Sequence, residues 1–387
     1  MPHRRPDLHA LTGLRFPAAL AVVAVHLSGH VEALLPGAFV PLRPALAVGK
    51  LGVELFFVLS GFILGYHYLD AFAQPSWARY RGFLRQRLGR IYPLHIATLA
   101  ALALFAGIMS GLGRPVDGAG TYGIGDLFAN VALVQCWTLR DCGLSWNGPA
   151  WSLSAEWFAY LLFPLVALAV TRTRRRGAIV AAVGVVVAMQ LWASEVAVLE
   201  GGIGRVAATF VLGVLLARLH LDGVGDLQWD AVAVWAFACA PLLGVGLAAA
   251  GRPPTAIIPL FGLLVLALAN APDGGLARRL GGPRLVFWGQ ASYGLYMTHA
   301  VVLAIAAEFV HLETIAHAPL GVRIAVIAAY PLVMCLVAAV AFREIEEPYR
   351  TLVRSAAPRG GRARPAPATA PTLAPAAQQL AQSAPIS

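Results

Sequence analysis

Residues 11–28 read LTGLRFPAALAVVAVHLS. A helix that crosses the hydrocarbon core of a bilayer needs about 20 mostly apolar residues, and this run has that length. Two ionisable side chains interrupt it, Arg15 and His26. Their spacing on an α-helix is about 20° past three full turns, so they share one face, about 16 Å apart along the axis. A buried guanidinium keeps its charge and needs an anion, whereas a neutral imidazole can serve as a general base. The pair suggests a substrate with an anionic end near Arg15 and a reacting group near His26. Arg15 also argues against a cleaved signal peptide, whose apolar core is uninterrupted.

The rest of the chain has the same character. Of its 387 residues 59% are hydrophobic and 12% charged, with a mean hydropathy of +0.71. Soluble domains are about a quarter charged, so this chain lacks the polar surface to coat a water-soluble core, and it is too apolar for a disordered protein. Apolar runs of spanning length recur near 51–69, 91–113, 151–170, 178–197, 203–219, 231–250, 255–271, 286–307 and 321–342. The fold class expected is an all-α polytopic membrane protein of about ten transmembrane helices. Residues 1–10 form an N-terminal segment, 11–350 the membrane domain and 351–387 a disordered Ala/Pro-rich tail. The stretch 127–137 is apolar but short and reads as interfacial or re-entrant.

A net charge of +10 suits a nucleic-acid partner as well as a membrane topology. The placement of the basic residues favours topology. With ten spans, 21 Lys and Arg fall on the side of the termini and 7 on the other, with Arg15 inside a span. The positive-inside rule then puts both termini in the cytoplasm and leaves no need for nucleic acid. Among the cysteines, Cys136 and Cys142 are close enough in one loop to pair in an oxidising compartment. Cys239 and Cys335 lie in apolar runs as small core residues.

Ionisable groups inside spans are costly and mark cavities or sites. Here they are Arg15, His26, Glu54, His95, Glu156 and His299. Arg87 and Arg90, three residues apart at the mouth of the third span, share a helix face and suit phosphates. Ser152 and Ser154 precede Glu156 in a helix-start pattern that capping explains for the serines but not for the carboxylate.

The ordered set Leu11-Thr-Gly-Leu-Arg15-x10-His26, Gly52-Val-Glu54-Leu-Phe-Phe-Val-Leu-Ser60-Gly-Phe, Arg87-x-x-Arg90-Ile-Tyr-Pro-Leu, Trp151-Ser-Leu-Ser154-x-Glu156, Ser292-Tyr293-Gly-Leu-Tyr296-Met-Thr-His299 and Glu346-Glu-Pro348 resembles the acyltransferase 3 family of integral-membrane O-acyltransferases. The resemblance spans about residues 8–350. It implies transfer of a short acyl group from acyl-CoA, a co-substrate rather than a bound cofactor, to a hydroxyl, with no metal. Carried onto this chain, His26 is the catalytic base, Arg15 helps hold the donor, and Arg87 and Arg90 bind its phosphates. Glu156, Tyr293 and His299 are implied to orient the base or the acceptor. Glu54 or Glu156 is placed to fix the imidazole tautomer, and Ser152 and Ser154 to support the acceptor.

Some family members carry a C-terminal hydrolase-like domain, for which this sequence leaves no room after residue 350. A domain of this length and Ala/Arg-rich composition resembles macrolide 3-O-acyltransferases of the midecamycin and carbomycin type, which act in antibiotic biosynthesis. The expected acceptor is a hydrophobic macrolide that partitions into the bilayer, with acetyl or propionyl as the group transferred and a bacterial plasma membrane as the location. Two other acceptors stand beside it: a polysaccharide or lipid-linked sugar, and the 4''-hydroxyl of a macrolide mycarose. From a different class comes a proton-coupled transporter, since intramembrane His, Glu and Arg also make proton relays. Such proteins often show two related halves, and none is visible here.

Overall fold

The opening run forms helix α1 (His9–His26), and the chain after it does not return directly. It turns through α2 (Ser28–Leu34) and α3 (Pro36–Gly49), breaks at residues 50–51, and continues as α4 (Gly52–Phe72). Glycines set the depth of that break. A Cβ on Gly49 would strike the Ala21 carbonyl of α1, and one on Gly52 the Ala18 carbonyl, so the break lies against the middle of α1. Glu54 thereby comes to the start of a half-helix inside the bundle. The computed structural model describes residues 5–114, 122–137, 142, 144–196, 202–225 and 227–355, and every element among them is helical.

Next come α5 (Trp77–Gly111), α6 (Ile124–Val131), α7 (Trp151–Arg172), α8 (Arg176–Val196) and α9 (Gly202–Leu221). The last part comprises α10 (Trp229–Ala249), α11 (Ile258–Asn270), α12 (Gly275–Leu280), α13 (Pro283–Phe309), α14 (Leu312–Ala316), α15 (Leu320–Ala341) and α16 (Glu347–Ser355). A π-turn over Phe342–Glu346 joins α15 to α16. The 35-residue α5 is about 52 Å long at 1.5 Å per residue, well beyond the hydrocarbon thickness. Its arginine-rich first half therefore extends past the apolar second half.

Small residues let the central helices touch backbone to backbone, the usual basis of packing between membrane helices. Gly61 and Gly65 of α4, four apart, meet α9 at the Phe210 carbonyl and at Ala217, and Gly213 of α9 meets the Val58 carbonyl in return. Gly13 of α1 lies on the Leu280 carbonyl, and Gly289 of α13 on the Thr12 carbonyl. Residues later in α4 meet residues later in α9, so these two helices run parallel. Phe62, Phe72, Phe163 and Phe210 fill the space between α4, α7 and α9.

Seven stretches among the described residues are long and apolar enough to cross a membrane: His9–His26, Pro36–Phe72, Trp77–Gly111, Gly148–Arg172, Gly202–Leu221, Trp229–Ala249 and Leu320–Val353. The expected count of about ten is not reached, for reasons that differ by helix. The apolar parts of α8 and α11 are short, at Arg176–Leu191 and Pro254–Asn270. Helix α13 is long but diluted by Gln290, Ser292, Thr298 and His299. The second span begins earlier than its apolar run, because Pro41 and Pro44 make α3 read as loop.

Several basic residues assigned to loops also lie in helices. Arg43 is in α3, Arg205 in α9, and Arg323 in α15, where it donates to the Leu34 carbonyl at 3.2 Å. Arg4, Arg140 and the tail beyond Ser355 fall outside the described residues. Within the expected tail, residues 351–355 are helical and complete α16. The piece expected near the interface, 127–137, begins inside α6, whose Ile124, Phe128 and Val131 form one exposed apolar face while Asn130 is buried on the other.

Candidate functional site

Helices α1, α4, α5, α7 and α13 enclose a cavity of about 80 Å3, room for several water molecules. Each helix contributes polar groups: Arg15 from α1, Ser60 from α4, Arg90 from α5, Ser152, Glu156 and Tyr160 from α7, and Ser292, Tyr293 and Tyr296 from α13. Phe56, Phe57, Ile91 and Leu153 supply the apolar wall. Two guanidinium groups and one carboxylate give this lining a net positive charge. In a setting so poor in water that imbalance favours an anion.

Glu156 is held by two hydroxyl donors, Ser60 Oγ at 2.6 Å and Tyr160 OH at 2.5 Å, both on its Oε1. Tyr293 OH donates to the Ile91 carbonyl at 2.6 Å, which bonds α13 to α5 beside Arg90. Tyr296 OH donates to the Pro149 carbonyl at 3.0 Å and lies 2.8 Å from Ser152 Oγ. The rigid frame around these bonds is the short 3-10 turn Gly148–Ala150 that leads into α7.

The two histidines stand beyond this cavity. His299 is fully buried and its ring meets the Tyr296 ring at 5.9 Å between centroids. His26, the exposed last residue of α1, meets His299 edge-on at 4.7 Å. His26 Nδ1 lies 2.8 Å from the Val22 carbonyl. A carbonyl only accepts, so Nδ1 carries the proton and Nε2 of the neutral ring keeps its lone pair. His299 Nδ1 faces the Leu295 carbonyl at 3.2 Å in the same way. Neither Glu54 nor Glu156 is the tautomer-fixing partner expected from the sequence; backbone carbonyls one turn back take that place.

Glu54 is engaged elsewhere. Arg205 Nε donates to its Oε1 at 2.8 Å and Arg205 Nη2 reaches the same oxygen, with the guanidinium over the Trp151 ring at 5.0 Å. The carboxylate is 2% exposed and the arginine 29%. Arg205 is the main residue missed from the sequence, although it falls within the apolar run 203–219 and was as intramembrane as Glu54. Ser60, Tyr160 and Tyr296 were visible only as neighbours of the charged residues. Their spacing, Tyr160 one turn after Glu156, was the available signal.

The arginine pair divides. Arg90 lines the cavity, whereas Arg87 stacks on Phe83 and Tyr68, at 5.8 Å and 5.6 Å from the ring centroids. Ser154 is set apart from any acceptor: its Oγ donates to the Leu133 carbonyl and accepts from Cys136 N. His95 is buried too, with Nε2 on the Asn130 carbonyl at 2.8 Å, and ties α5 to α6.

Cys136 and Cys142 form a disulfide that seats on Gly202 at the start of α9. Since α9 runs parallel to α4, this disulfide stands at the end of the bundle opposite Asp70, near the end of α4. Arg5 pairs with Asp70 at 2.5 Å, and Arg87 with Tyr68, at that other end.

The site is thus a cationic cavity inside a bundle of membrane-spanning helices, with an imidazole pair beyond it. Residues 8–342 match the acyltransferase 3 family, described as an acyltransferase domain, and the chain belongs to that family. A relative in Streptomyces mycarofaciens, named acyltransferase MdmB, is 30% identical over 337 residues, covering 78% of this chain and 81% of its own. No solved structure matches the chain.

Proposed function

We propose that this membrane acyltransferase moves a short acyl group, acetyl or propionyl, from acyl-CoA to the 3-hydroxyl of a macrolide during antibiotic biosynthesis. The observation that carries the donor is the cavity itself: Arg15 and Arg90 at its charged end, and the His26–His299 pair past Tyr296 at the other. Arg90 and Arg15 hold the anionic donor, and the acyl thioester extends toward His26. His26 Nε2 takes the proton of the acceptor hydroxyl as that oxygen attacks the thioester carbonyl. The new C–O bond forms, the C–S bond breaks, and the proton passes from His26 to the departing thiolate. Glu156, bonded by Ser60 and Tyr160, offsets one of the two arginine charges and leaves the other for the anionic donor.

The macrolide acceptor rests on the family resemblance and on physical sense, since His26 is exposed at the edge of the bundle where an apolar acceptor arrives from lipid. We place the protein in a bacterial plasma membrane with both termini cytoplasmic. The disulfide at one end and the basic residues Arg5 and Arg87 at the other support that orientation, because disulfides persist on the oxidising side.

The test is direct. Membranes containing the protein are given acetyl-CoA or propionyl-CoA and a 3-hydroxy macrolide, and products are read by mass spectrometry. A mono-acylated macrolide at the 3-position supports the proposal. Acylation of glycan or of a mycarose hydroxyl would move the acceptor, and uptake without any acylated product would remove the enzyme reading in favour of transport.

A further inference from the structure

The cavity that holds the arginines does not include the histidines. Between them stands Tyr296, whose ring lines the cavity and also meets His299. Phe56 stands against Tyr296 at 6.1 Å, closing the same passage from α4. Tyr296 is not free to swing. Its hydroxyl lies between Ser152 Oγ at 2.8 Å and the Pro149 carbonyl at 3.0 Å, and Ser152 Oγ lies 3.1 Å from that same carbonyl, so two hydroxyl protons are shared within one cluster of three oxygens. Both residues are buried, with Tyr296 8% and Ser152 7% exposed. Rotating the ring would strand a buried hydroxyl, which is costly.

We propose that Tyr296, braced by Ser152, is the partition through which the acyl group must reach His26, and that its ring and that of Phe56 set the length of acyl chain transferred. This rests on the acyl-CoA reading above. A donor anchored at Arg15 and Arg90 has to project its thioester past these two rings. A two- or three-carbon acyl group needs little room beyond the thioester carbonyl, whereas each further methylene must find space that the clamped ring occupies. Ser152 is thus a positioning residue that acts through Tyr296, and Tyr296 is a specificity-determining one.

The experiment compares kcat/KM for acetyl-, propionyl-, butyryl- and hexanoyl-CoA in purified wild type, Tyr296→Phe, Tyr296→Leu, Ser152→Ala and Phe56→Leu. Wild type is expected to fall at least about 10-fold from propionyl to hexanoyl, since a poorly fitting methylene costs about 10- to 200-fold in discrimination. Tyr296→Leu should flatten that profile by about 10-fold or more, while Tyr296→Phe, which keeps the ring but loses both hydroxyl contacts, should flatten it partly. Ser152→Ala should flatten it partly, an effect that a structural defect lowering all donors equally would not give. An unchanged ratio between propionyl and hexanoyl in Tyr296→Leu overturns the proposal. Should Tyr296→Leu fail to fold, Phe56→Leu decides by the same ratio. A wild type that consumes none of the four donors overturns the acyl-CoA reading itself, a result distinct from an active enzyme with an unaltered profile.

Discussion

His26 and His299 meet edge to ring at 4.7 Å, and each turns its Nδ1 to a backbone carbonyl one helical turn before it. The two rings are therefore held in the same tautomer by their own helices, and the lone pairs on Nε2 face away from those bonds. His26 is the exposed ring of the pair, and His299 is the buried wall behind it. Replacing His299 with Phe keeps the wall and removes the nitrogen. It should leave the thermal midpoint within a few degrees and the KM for acyl-CoA within about twofold, while kcat falls about 10- to 100-fold through loosened placement of His26. Steady-state kinetics on the purified variant check this.

Arg15 and Arg90 line the cavity, and Arg87 stacks on two aromatic rings. Charge-assisted bonds to a phosphate are each worth about 1.5–3 kcal/mol, or about 10- to 100-fold in affinity. Arg90→Gln and Arg15→Gln should each raise the KM for acyl-CoA by that factor with a smaller change in kcat. Arg87→Gln should show a weaker effect on KM and a larger one on stability. Titrations with acyl-CoA and with acyl-pantetheine, which lacks the nucleotide phosphates, separate the two roles.

The Glu54–Arg205 pair fixes the half-helix that begins at Gly52 to α9. Removing one partner of a buried pair leaves a charge stranded, at a cost of about 3 kcal/mol. Arg205→Met alone should therefore lower the midpoint of unfolding in detergent more than the double variant Glu54→Gln/Arg205→Met does. A double variant that is the sum of the two single ones would show that the pair contributes nothing.

Close backbone contact between α4 and α9 has its own signature. A Cβ at Gly61 would strike the Phe210 carbonyl, and one at Gly213 the Val58 carbonyl. Gly61→Ala or Gly213→Ala forces those backbones apart and should cost about 3 kcal/mol or more, seen as loss of monodisperse protein on size-exclusion chromatography. Gly107→Ala, where nothing lies within 4 Å, should be neutral or slightly stabilising.

The sequence made the membrane character legible because composition and apolar run length report directly on the solvent a helix faces. At α8, α11 and α13, three of the expected spans, apolarity and length part company, so the count of ten is not confirmed. Helix α13 shows the reason: its Ser292, Thr298 and His299 are buried inside the bundle, so its hydropathy falls although its length does not. Helix α3 was missed for the converse reason, since Pro41 and Pro44 read as breakers while packed neighbours in a membrane tolerate proline. For the site, charged residues inside apolar runs singled out Arg15, His26, Glu54, His95, Glu156 and His299, of which Arg15 and Glu156 line the cavity. What periodicity along one helix does not convey is which charges meet across helices. Glu54 pairs with Arg205, Glu156 with Ser60 as well as with Tyr160 one turn on, and Ser154 with the disulfide loop; Arg205, Ser60 and that loop all belong to other elements.

The account stands on His26 as the base that activates the acceptor. The most direct measurement is acyl transfer by the His26→Gln variant in membranes, with donor binding followed in parallel by a radiolabelled acyl-CoA. General-base catalysis contributes about 100- to 10,000-fold. The account predicts that turnover falls by at least the lower of these factors while acyl-CoA binding and the thermal midpoint stay as in wild type. A His26→Gln enzyme that turns over within a few-fold of wild type would contradict it.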